Sequence, residues 1–249
     1  MGIFKLDSPL MKLLTGLADL MWINVLAIIT SIPIFTIGAS ITAMETVFMR
    51  MIHKEDVSVT REYFQAFKDN FKQATIIWLI LLPIIFVIGF DQIYFLTDNS
   101  EFGIFLKAAS IVLGVVFLGV FLYVFPLQAR YKNPVRITFK NAIILTIGHP
   151  VRSIFMILIF ALFAFTAFAV GFAGYLYDTK GYVFSDFKLY PFLLLFGYSL
   201  PWFLNSILVV PVFDKVEKTE GIAPANVADE PLKPIRDDDD GEEQFEDYE

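Results

Sequence analysis

Five stretches of about twenty apolar residues, at about Leu17–Ile37, Ile76–Leu96, Ile104–Phe125, Ser153–Leu176 and Pro191–Val210, constrain this chain more than anything else in it. A hydrocarbon core about 30 Å thick is crossed by roughly 20 residues of helix. In lipid the backbone must satisfy its own polar groups, so such runs are helices. They are continuous rather than alternating, which excludes a lipid-facing β-barrel. The expected fold is all-α: a polytopic transmembrane helix bundle of about five spans. With 57% apolar residues, 28 Phe and a mean hydropathy of +0.65 over 249 residues, a water-soluble domain is excluded.

The net charge of −7 does not describe the membrane part. Residues 214–249 carry 14 acids against 4 bases, leaving 15 bases against 12 acids in the rest. Residues 1–213 therefore form a mildly basic transmembrane domain. Residues 214–249, ending in "DDDDGEEQFEDYE", read as an acidic disordered tail, with too few large apolar groups to offset the entropy of ordering. No basic, aromatic-interleaved surface points to nucleic acid. Zero cysteines exclude disulfides, thiolate metal sites and thiol catalysis. The two histidines, His53 and His149, have no partner at metal-ligand spacing, and there is no phosphate-binding GxxxxGK[ST] loop. No cofactor and no enzymatic activity are expected.

Lysine and arginine in short loops mark the cytoplasmic side. Arg130, Lys132, Arg136, Lys140 and Arg152 follow the third run as a basic loop, and Arg50, Lys54, Arg61, Lys68 and Lys72 precede the second, whereas Asp98 and Glu101 lie in the link between them. Five crossings would put the acidic tail inside and the N-terminus outside, against the mild preference of Lys5 and Lys12. If Leu17 to about Ile52 instead folds as a hairpin or re-entrant pair turning at Pro33–Gly38, the N-terminus stays inside. The first run is expected to be retained, being too long for a signal-peptide core and holding Asp19 and Asn24.

The turn falls in "TSIPIFTIGAS", Thr30–Ser40. Proline removes a helical hydrogen bond and Gly38 can end a helix; the stretch separates two helical pieces, since a second apolar pattern runs from Ala39 through Met51. Its hydroxyls are suited to bonding carbonyls freed at the break. Between Ser58 and Lys72, Tyr63, Phe64, Phe67 and Phe71 share one stripe, so this segment reads as a cytoplasmic amphipathic helix lying flat before bending into the second span. Ionisable groups at membrane depth raise a functional hypothesis. The candidate polar site is Asp19 and Asn24 with the Pro33–Gly38 break, and Asp91 as a further acid. Asn205 and Ser206 read as interhelical hydrogen bonds, and Gly114, Gly119, Ala167 and Gly171 as small packing faces.

The segments "DSPLMKLLTGLADL", "IPIFTIGAS", "FKDNFKQATIIWLI", "FPLQARY" and "NAIILTIGHP", in this order over residues 2–215, resemble the YesL family of uncharacterised bacterial integral membrane proteins. The resemblance implies a multi-pass protein of the bacterial cell membrane and, through the gene neighbours typical of that family, a non-enzymatic accessory role in carbohydrate uptake. A carbohydrate importer permease or a sensor kinase would be the partner, with a homo-oligomer also compatible. It supplies no catalytic or binding residues. The competing reading is a small secondary transporter built on Asp19, Asn24 and the Pro33–Gly38 break.

Overall fold

A computed structural model describes residues 9–55, 58–95, 100–131, 133–179 and 190–219. Among these there is no strand. The eight helices are α1 (Pro9–Thr30), α2 (Ile37–Ile52), α3 (Val59–Phe95), α4 (Glu101–Arg130), α5 (Val135–Gly148), α6 (Pro150–Thr179), α7 (Tyr190–Phe196) and α8 (Ser199–Thr219). Five of them, α1, α3, α4, α6 and α8, are long and apolar enough to cross a membrane. Large apolar side chains on α4 and α6, such as Val112, Leu158 and Phe165, face outward. This is the exterior that lipid calls for and water would not tolerate.

The first run ends earlier than its composition implies. Helix α1 stops at Thr30, and a single 3-10 turn at Ile34–Thr36 leads into α2. Ser40 Oγ donates to the carbonyl of Ala27 at 3.0 Å, so the two helices fold back on each other. The hairpin alternative describes this geometry. Residues 31–36 hold the turn instead of the end of a span.

At 16 residues α2 is short, yet twelve of them, Gly38 to Met49, are buried, which makes it the centre of the bundle. Close approach explains Gly38: a methyl there would run into the Ala74 carbonyl and the Trp78 Cβ on α3. Glu45 meets Ser206 and His53 meets Asp214, both 161 residues apart, so α2 and α8 run parallel. Around Trp202 a cluster of rings joins α4, α6 and α8, with Phe160 at 4.9 Å, Phe121 at 6.0 Å and Phe125 at 6.1 Å between centroids.

Two further expectations are corrected. The amphipathic segment is the start of α3 itself, a helix of 37 residues and so about 55 Å long. Its aromatic stripe splits: Tyr63 is fully buried, whereas Phe64 and Phe71 are exposed. The last run is two helices. Gly197 N closes α7 on the carbonyl of Leu193 at 2.8 Å, and α8 starts at Ser199 and continues to Thr219. It therefore passes the domain boundary expected at residue 213. Residues 220–249, including the acidic run, lie outside the described residues.

Candidate functional site

Interrupted helices in a membrane leave carbonyls and N–H groups that water cannot reach. In this chain three of the interruptions are met by particular side chains. At the α1–α2 turn, Trp78 Nε1 donates to Ile34 O at 2.7 Å and Thr36 Oγ1 to Pro33 O at 2.6 Å. Thr30, Ser40 and the Tyr63 hydroxyl bond one another at 2.7–3.0 Å. At the α7–α8 break, Asn24 of α1 bonds backbone through both ends of its amide: Oδ1 accepts from Tyr198 N at 3.1 Å and Ser199 N at 2.9 Å, and Nδ2 donates to Leu194 O at 2.8 Å. Pro126, inside α4, cannot bond the carbonyl four residues before it. That carbonyl, Leu122 O, is taken by Asn205 Nδ2 at 3.2 Å.

The opposite end is held by charge. Here α2, α4 and α8 finish and α3 begins. Arg130, 6% exposed in the last turn of α4, makes a two-pronged pair with Glu217, Nε to Oε1 at 3.0 Å and Nη2 to Oε2 at 2.8 Å, and Nη2 also reaches Asp214 at 3.0 Å. The Tyr131 hydroxyl donates to Glu217 Oε1 at 2.7 Å. Burial, and then this bond to a carboxylate, push the Tyr131 phenol well above its ordinary range. His53 Nε2 approaches Asp214 at 3.4 Å, and Arg50 Nη1 donates to Glu62 at 2.7 Å.

Between these pairs lies a polar crypt of about 90 Å³, whose walls include Arg50, Glu62, Asp69, Asn70, Gln128 and Arg130. Gln128 Nε2, bonded to Gln73 at 2.8 Å, braces one wall. The volume holds a few waters or a small ion.

The candidate residues take separate roles. Asn24 is a capping group, and Asp19 is half-buried with no hydrogen bond or ion pair among the described residues. Pro33 and Gly38 build the turn, and Asp91, half-buried, lies far along α3 beside the apolar Phe90. The basic loop is also corrected. Arg130 is buried in a helix end, Arg136 and Lys140 are exposed on the separate helix α5, Arg152 lies in the first turn of α6, and Lys132 falls outside the described residues. Burial, together with the nearby charges of Arg152 and Lys215, lowers the His149 pKa. Sequence reasoning missed Glu45, fully buried on α2, and the Arg130 partners Asp214 and Glu217, which were assigned to a solvated tail. Their spacing of three on an apolar helix was the available signal.

Residues 20–92 match a family described as "Protein of unknown function, DUF624". The match spans the second half of α1, all of α2 and most of α3, so it includes Asn24, Gly38, Glu45, Arg50 and Glu62. The YesL proteins belong to that family. No curated protein and no solved structure matches the chain.

Proposed function

We propose that the chain is a non-enzymatic accessory protein of the bacterial cell membrane that docks, through its charged end, on a permease or sensor kinase of carbohydrate uptake. The observation that supports this reading best is how the polar groups are used. At membrane depth Asn24 and Asn205 are engaged with the backbone of neighbouring helices. A carrier needs polar groups free to line a path, and the engagement of Asn24 weighs against one built on Asp19 and Asn24.

Exposed cations, by contrast, gather at the charged end: Lys54 after α2, Arg61 and Lys68 at the start of α3, Arg136 and Lys140 on α5. By the positive-inside rule this end faces the cytosol. With α2 counted as a crossing, the N-terminus and α8 both end there, which also suits Lys12. The basic rim is then a surface for an acidic partner or for anionic headgroups. The tie to carbohydrate uptake rests on the resemblance to the YesL family. Purification in mild detergent from cells that express a neighbouring permease and sensor kinase tests it. Recovery of the complex, weakened when Arg136 and Lys140 are changed to Glu, is expected; recovery of the chain alone would overturn the docking role.

A further inference from the structure

Among the described residues Glu45 is the fully buried carboxyl group that neither caps a helix interruption nor joins the charged end. It lies in the middle of α2, fully buried in the described bundle. Its one polar partner is Ser206 of α8, whose Oγ is 2.6 Å from Oε2, while Oε1 has no partner. Ser206 Oγ is also 3.1 Å from the carbonyl of Trp202. A serine hydroxyl has a single proton to donate. If that proton goes to Trp202 O, the short contact to Glu45 needs a second proton, on Oε2. If it goes to Glu45 instead, an ionised carboxylate sits in the apolar core with one hydroxyl donor, far short of what burying a charge requires.

Among the described residues no cation is placed to compensate a charge there. On α3, Arg61 and Lys68 are exposed and Glu62 is held by Arg50. On α4, Arg130 is committed to Asp214 and Glu217 of α8. On α1, Asp19 is an acid, and Lys12 is exposed. On α2 itself, Thr42 and Thr46 turn their hydroxyls back to Gly38 O and Thr42 O.

We propose that Glu45 is a proton-binding site inside the bundle, holding its proton while α2 and α8 are closed on each other and releasing it when they part. On release the Oε2–H bond breaks, the proton passes to water admitted between the helices, and the carboxylate left on α2 is solvated by that water while Ser206 keeps its own proton on Trp202 O. The same parallel seam ends at His53 and Asp214, so parting the helices at Glu45 loosens the charged end as well. This inference stands whether or not the chain docks on a permease.

Infrared spectra of the full chain in lipid nanodiscs test it. The expected result is a protonated-carboxyl C=O band at neutral pH that disappears in Glu45→Gln, disappears in the native chain at alkaline pH, and shifts without disappearing in Ser206→Ala. The last variant keeps the carboxyl and so guards against a folding defect in the first. Identical native and Glu45→Gln spectra at acid and alkaline pH would overturn the proposal. Loss of the band on adding sodium at constant pH would overturn it too, by making the site one for a metal cation.

Discussion

The two ends of the bundle hold their helices together by different chemistry. At the end of the breaks, neutral hydroxyls, an indole and an asparagine amide satisfy backbone groups of interrupted helices. At the other end, four ionisable side chains and a phenol tie α2, α4 and α8 to one another. The difference follows from what each end must solve. A broken helix in lipid needs several donors and acceptors at fixed positions and gains nothing from net charge. Helix ends close to water can recruit charges, because part of the desolvation penalty is avoided there: Arg130 and Glu217 are buried, but Asp214 and His53 remain partly wet.

The comparison breaks most readily at Arg130. Replacing it with Met leaves the buried Glu217 carboxylate without its cation, which costs about 3–5 kcal/mol. The double change Arg130→Met with Glu217→Leu should recover most of that loss, because the buried pair and an apolar pair of similar size are nearly equal in free energy. Unfolding by titration with a denaturing detergent reads both. A double variant no better than the single one would show that the pair is not the principal tie at this end.

At the other end, Asn24→Leu strands two N–H groups and a carbonyl. With about 1–3 kcal/mol for an unsatisfied buried group, reduced by relaxation, a loss of about 2 kcal/mol is expected. Asp19→Asn, one and a half turns earlier, should leave stability unchanged in the same titration. Equal effects at the two positions would erase the distinction drawn between them. Gly38→Ala, which drives a methyl into α3, should cost about 1–3 kcal/mol. Arg50→Gln, breaking a partly buried pair with Glu62 whose side chains are 31% and 16% exposed, should cost about 1 kcal/mol.

The length and apolar character of the spans were legible because they depend on composition over twenty residues, which no tertiary contact can alter. Where helices stop within an apolar run was less legible. Pro33 marked a break without fixing whether the first helix ends before it or kinks and runs on, and the α7–α8 break depends on Asn24, about 170 residues away. The hydroxyl-rich stretch did announce a turn, and the Asn205 and Ser206 bonds were foreseen as interhelical. Arg130 was visible as a cation. That its partners belong to α8 was hidden by the acidic composition that follows, which made Asp214 and Glu217 read as the start of a tail. Glu45 escaped because "TAMETVFM" looks amphipathic until the burial of every face is known.

The central claim is that the chain turns back at residues 31–36, so that α1 and α2 form a pair and both ends of the described chain lie on one side of the membrane. The protein contains no cysteine, so single cysteines at Lys12 and Lys218 can be probed in intact cells with a membrane-impermeant thiol reagent. The account predicts that both are protected until the membrane is permeabilised. Labelling of the Lys12 position from outside, with the Lys218 position still protected, would contradict it.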